Sequence, residues 1–152
     1  MFRIVTKEGG LACTHYGSKH DLPQVVRLAY QDASNLGVRR IFHAGDVTEG
    51  PAASGYRGHQ NDAKFPDMDN MEDYAVAQWP RVKVKVDPKN PLMQTKMVLN
   101  ENGQPTYQEY FVKDGEAWLQ TDLIDGNHDC WAKQEIGHRP ARSLALRMPD
   151  LL

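Results

Sequence analysis

Three times along this chain an apolar run breaks into a turn that holds glycine and ligand-type side chains. The turns are "CTHYGSKH" (13–20), "HAGDVTEG" (43–50) and "DGNHDC" (125–130). A loop that only reverses direction needs a glycine and one asparagine. It does not need an imidazole with a carboxylate behind it, as in Asn127-His128-Asp129. Parallel α/β sheets place their sites just past the carboxyl ends of strands, so three such endings constrain the fold strongly.

The segments between the turns agree with that reading. "DLPQVVRLAYQDASNLG" (21–37) repeats apolar residues at helical spacing, with Asp21 as N-cap and Gly37 as the stop. "VRRIFHA" (38–44) reads as a strand and "DMDNMEDYAVAQW" (67–79) as a second helix stopped by Pro80. "RVKVKV" (81–86) alternates as a half-exposed strand, and "KMVLNENGQPTYQEYFV" as a hairpin turning at Asn102-Gly103. "EAWLQTDLI" (116–124) is expected to be one core strand, followed by a last helix from Ala132 to about Arg147 with Pro140 interrupting or starting it. Strand, helix, strand, helix, inserted hairpin, strand, helix predicts an α/β fold in one domain over 1–152, the hairpin lying near 81–113.

Composition removes several alternatives. With 152 residues, 40% of them hydrophobic and 25% charged, the chain is long enough for one sizeable core. A formal charge of −2 gives no global pull toward nucleic acid, although a local basic patch stays open. Cys13 and Cys130 make neither a disulfide framework nor a paired zinc motif. "MFRIVTKEGG" is too short in apolar residues for a signal peptide, and nothing approaches a membrane span. A reduced, cytoplasmic setting without membrane partners is expected.

The three turns offer His15, Asp46, Asn127 and His128, a mixed nitrogen and oxygen set suited to borderline divalent metals. Each residue alone has an ordinary explanation: a loop histidine, a Gly-Asp turn, an asparagine in a left-handed position, a surface pair. Their recurrence after three strands favours a metal site.

"GDVTEG" and "GNHD", preceded by the "TH-x-G" turn at 14–17, resemble the calcineurin-like metallophosphoesterase family over about residues 11–131. "HYGSKHDLP", "FHAGDVTEG" and "GHQND" also resemble phage-type members. The resemblance implies a β-sandwich flanked by helices (αββα) and a dinuclear site of Mn, Fe or Zn that hydrolyses phosphate esters, mono- or diesters. His15 would ligate the first metal, Asp46 would bridge both, and Asn127 would ligate the second through its amide oxygen. His128 would sit near the phosphate as leaving-group acid or charge stabiliser, with Asp129 orienting it. Nucleic acid is among the substrates that the resemblance allows.

Two departures qualify the match. Cys13 stands where the family's first motif has aspartate, either as a soft ligand or as a buried strand cysteine without that role. The family's later histidine motif is absent: "GHRP" (137–140) offers only His138, nine residues past Asp129, which reads as a surface residue. The chain thus reads as the N-terminal two-thirds of a longer enzyme or as a shortened relative, its sandwich and second metal site incomplete at the C-terminus. The alternative function is a truncated, non-catalytic relative that binds phosphate or nucleic acid. Lesser candidates are His20, Lys19, His59 and Asp62 near the site. The hairpin region adds Lys83, Lys85, Lys89 and Lys96 with Tyr107, Tyr110 and Phe111.

Overall fold

The computed structural model describes residues 3–5, 8–50 and 62–152. In chain order the elements are β1 (Arg3–Val5), β2 (Glu8–Leu11), α1 (Pro23–Asn35), β3 (Arg40–His43), α2 (Met68–Gln78) and β4 (Lys83–Val86). They continue with β5 (Leu92–Leu99), β6 (Pro105–Val112), β7 (Gly115–Trp118), β8 (Gln120–Leu123), α3 (Asn127–Ile136) and α4 (Pro140–Arg147). This is an α/β protein with a four-stranded sheet ordered β1-β2-β3-β8 and two separate strand pairs, β4-β7 and β5-β6. Strands β2, β3 and β8 run parallel, and β1 is antiparallel to β2. Because the three parallel strands end at Leu11, His43 and Leu123, the turns that follow all leave the same edge of the sheet. Among the described residues no helix is long and apolar enough to cross a membrane.

Helix α1 starts with Pro23, whose fixed φ and missing N–H suit a first turn. It stops where Gly37 takes φ 74° and the amides of Gly37 and Val38 return to Ser34 O and Ala33 O. The buried face is narrower than the periodicity implies. Pro23, Tyr30 and Ala33 are buried, whereas Leu22, Val25, Leu28 and Leu36 stay exposed. Asp21 is not the cap either: Leu22 holds that position, and the Asp21 carboxylate accepts from Gly17 N at 2.9 Å and pairs with Lys64.

Tyr30 and Ala33 pack with Val38 and Ile41 of the β3 segment, Val84 and Val86 of β4, and Ala117 and Leu119. The Tyr30 hydroxyl meets Thr121 Oγ1 at 2.6 Å, tying α1 to β8. Along β3, Ile41 and His43 are buried while Phe42 between them is 46% exposed, so one sheet face is covered and the other is open at that strand. A second cluster, Tyr16, Val47, Ala75, Trp79, Leu144, Met148 and Leu151, packs the turns against α2 and α4.

Two expected elements differ. "EAWLQTDLI" is broken at Leu119, whose amide bonds to Val82 O at 2.9 Å. Its first half pairs with β4 and its second with β3. The expected last helix is two helices, the first beginning at Asn127 itself and ending at Gly137 with φ 71°. The hairpin forms as read: β5 and β6 pair antiparallel, and Gly103 takes φ 74° between them.

His138 is not simply a surface residue. Its Nε2 lies 2.6 Å from Oε1 of Glu72, a carboxylate only 2% exposed. Ser143 Oγ donates to Oε2 at 2.5 Å and Arg147 Nη1 reaches the same atom at 3.5 Å. One buried side chain on α2 thereby gathers the α3–α4 segment. Glu72→Ala strands these partners and should lower stability by about 2–3 kcal/mol in urea unfolding, more than a typical surface substitution.

Candidate functional site

The three turns are sewn together by their backbones. Cys13 N donates to Gly45 O at 3.1 Å, His15 N to Asp46 O at 3.0 Å and Tyr16 N to Val47 O at 2.8 Å. Glu49 N returns to Tyr16 O at 3.1 Å. The third turn comes closer still. A Cβ built on Gly126 would lie 2.2 Å from Asp46 N, and one on Gly45 would lie 2.4 Å from Gly126 Cα. Only glycine permits this approach at either position.

Asp129 holds the junction. It is fully buried, and its carboxylate accepts from Val47 N (3.1 Å), Thr48 N (3.2 Å), Thr48 Oγ1 (2.9 Å) and Gly126 N (3.0 Å). Asp129 was expected to orient His128; its carboxylate bonds instead to the second turn and the start of α3, so it acts on His128 only through the backbone. His128 is placed by other groups. Its backbone N donates to Asp46 Oδ1 at 2.9 Å, and its Nδ1 donates to Glu49 O at 2.9 Å. The ring packs 4.5 Å from that of His15 and 4.3 Å from that of Trp131, centroid to centroid.

Cys13, His15 and Asp46 come together, one donor atom from each lying within 4.8 Å of the others. His15, Glu49 and His128 form a second such group. Asn127 lies against the same aspartate, its inward amide atom 3.0 Å from Asp46 Oδ2 and 3.3 Å from Oδ1. With nitrogen inward the amide donates to the carboxylate. With oxygen inward two acceptors face each other, and a cation between them removes the repulsion. Among the described residues, the non-glycine positions with positive φ are Cys13 (56°), His15 (46°) and Asp46 (54°). Left-handed backbone at such residues costs on the order of 1–3 kcal/mol each and tends to mark functional turns. This donor set, carboxylate and imidazole with an amide and a thiol beside them, fits a borderline divalent cation.

Glu49 is the residue that sequence reasoning passed over. It sits inside "GDVTEG", three positions after Asp46, and was available as a carboxylate in a conspicuous motif. Its burial and its 3.0 Å contact to His15 Nδ1 need the folded turns to be seen. Of the lesser candidates, His20 and Asp62 pair loosely at 3.7 Å, and His59 lies outside the described residues. A cleft of about 470 Å³ opens beside Cys13, His15 and Glu49, walled in part by Leu22 and Val25. A larger cavity of about 540 Å³, lined by Arg40, Gln120, Asp122 and Arg142, contains none of the clustered donors.

His43 supports the second turn from beneath. Nδ1 accepts from Gly45 N at 3.3 Å, so the proton is on Nε2, which meets Thr14 Oγ1 at 3.1 Å. Thr14 in turn donates to Val47 O at 3.2 Å. Burial pushes the imidazole pKa down to about 4. Compared with protein-family models, curated proteins and solved structures, the chain matches none.

Two outcomes follow from these contacts. Asp129→Ala leaves buried Val47 and Thr48 amides unpaired and should cost about 3 kcal/mol, read by urea unfolding. His43 is held neutral when folded but protonates near its ordinary pKa of about 6.5 when unfolded. Its contribution is therefore complete above about pH 6.5 and is lost as pH falls toward 4. Thermal unfolding across that window should show the loss, up to about 3 kcal/mol, and His43→Gln should flatten it.

Proposed function

We propose that this chain is a metal-dependent hydrolase of phosphate esters, of the calcineurin-like kind. The observation that carries the reading is the convergence of Cys13, His15 and Asp46 at one point of the strand-end edge. Asn127 stands against Asp46, and His128 is bonded to it through its backbone. In this reading the sheet β1-β2-β3-β8 is one leaf of an αββα sandwich. His15, Asp46 and Asn127, with Cys13 beside them, would hold the metal.

Divalent ions held by these residues would supply an acidified water and charge stabilisation for the phosphate. The chain's own residues do the rest. Asp46 sits at a left-handed turn and its Oδ1 accepts from His128 N, which holds the carboxylate toward the cluster. Asn127 offers a neutral oxygen, which leaves a cation more electrophilic than a further carboxylate would. His128 Nδ1–H donates to Glu49 O, which fixes the ring's orientation beside Asp46. In its imidazolium form Nε2–H can give its proton to the leaving alkoxide. The cleft beside His15, with Leu22 and Val25 on its wall, accepts the ester's organic group. A nucleic-acid phosphodiester belongs to the same substrate class, and exposed Tyr107 and Phe111 on β6 offer stacking surfaces for bases.

The 152-residue chain should hydrolyse an aryl phosphodiester when supplied with Mn²⁺ or Zn²⁺. Asp46→Ala and His128→Ala should each lower the rate by about 10²-fold or more. A folded, metal-loaded chain without turnover would sink the hydrolase and leave the phosphate-binding alternative.

A further inference from the structure

We infer that Cys13, His15 and Asp46, with Glu49 behind His15, form a thiolate-containing cation position that selects Zn²⁺-like ions over Mg²⁺ and Mn²⁺. The inference shares with the proposed function only the premise that this cluster holds a cation. It stands whether or not hydrolysis follows.

Cys13 is not a strand cysteine packed in the sheet. It lies two residues past the end of β2, is exposed, and takes φ 56°. Its Sγ is 3.9 Å from Asp46 Oδ2. The intervening Thr14 is buried and turned toward His43, while Cys13 and His15 both present their donor atoms to Asp46. Side chains 13 and 15 thus meet on one side of the turn, beside Asp46. Ligand atoms around a tetrahedral ion stand roughly 3.3–3.8 Å apart, given bond lengths of about 2.0–2.3 Å. A cluster within 4.8 Å closes to that size with side-chain movement of about 1 Å.

The chemistry of the three donors sets the preference. Sulfur, imidazole nitrogen and carboxylate oxygen together suit Zn²⁺, Co²⁺ or Cd²⁺, whereas Mg²⁺ and Mn²⁺ favour all-oxygen shells. On binding, the thiol proton passes to solvent water, and two anionic ligands match the dication. Three protein ligands leave a fourth position for water or a phosphate oxygen.

Glu49 acts through His15. A carboxylate accepts, so the 3.0 Å contact puts the imidazole proton on Nδ1 and leaves the lone pair on Nε2. The Glu49 side chain is 8% exposed and that of His15 27%. The carboxylate therefore fixes both the tautomer and the ring plane of the ligating imidazole. It is a positioning residue for the cation.

The test uses the full chain, freed of metal with a chelator and titrated with Co²⁺, then with Zn²⁺, Cd²⁺ and Mn²⁺ in competition. One equivalent of Co²⁺ should give thiolate-to-metal charge-transfer absorption that Cys13→Ser and Cys13→Asp lose and Cys130→Ser keeps. Far-UV circular dichroism checks that each variant is folded, and Asp tolerates the left-handed turn at position 13. Zn²⁺ should bind at least about 100-fold more tightly than Mn²⁺, and Cys13→Asp should narrow that ratio at least tenfold. Glu49→Gln should weaken Zn²⁺ binding by about 10–100-fold while keeping the absorption band. Co²⁺ bound without the band, or with a band that survives Cys13→Ser, overturns the inference and leaves the hydrolase standing. The band without phosphodiester turnover supports the inference and sinks the hydrolase. No uptake of Co²⁺ or Zn²⁺ by the folded chain overturns both.

Discussion

The carboxylate of Asp129 is the interaction on which the rest of the site depends. A fully buried anion is tolerated only where donors replace water, and here the backbones of Val47, Thr48 and Gly126 and the Thr48 hydroxyl do so. The exchange works in both directions. The donors satisfy the carboxylate, and the carboxylate fixes where two separate turns stand relative to each other. With Gly45 and Gly126 pressed backbone to backbone, His128 N falls within 2.9 Å of Asp46 Oδ1. The spatial relation between the candidate metal ligand and the candidate acid is thus set by a residue that touches the chemistry of neither.

Apolar packing and polar bonding share the task. Tyr30, Ala33, Val38, Ile41 and Leu119 hold α1 against the sheet and bring the strand ends into line. Past the strand ends apolar packing continues beneath the turns through Tyr16, Val47 and Trp79, and hydrogen bonds join it: His43 to Thr14, Thr14 to Val47 O, Asp129 to the second turn. Buried bonds of this kind are directional where hydrophobic contact is not, so they suit a region where angles matter more than area. Glu72 repeats the device away from the donor cluster, where His138, Ser143 and Arg147 converge on one carboxylate.

Much of this was legible in the sequence. Helical spacing located α1 and α2, Asn102-Gly103 located the hairpin turn, and the three glycine-bearing turns identified which loops would meet. What escaped was set by tertiary partners. Nothing local marks Leu119 as the point where one apolar run serves two sheets, because the break is fixed by Val82 O. The exposure of Leu22 and Val25 depends on which face β4 and the sheet leave uncovered. Asp129 follows His128 directly and invited an orienting role, yet as the third residue of a helix its side chain reaches back toward the helix start and the second turn. Cys13 and Glu49 belong to the same group: their meaning depends on distances across 33 and 34 positions of chain.

The three left-handed residues also bear on how this chain would respond to selection. Cys13, His15 and Asp46 hold a conformation that glycine adopts more readily, so each position accepts some backbone strain in exchange for a donor side chain. A population selected for heat tolerance alone would gain by replacing them, and the clustered donors would be among the first features to erode. Positions where robustness and chemistry pull in opposite directions can be recognised from the backbone before any substrate is known. In this chain those positions fall on the residues gathered around a single point.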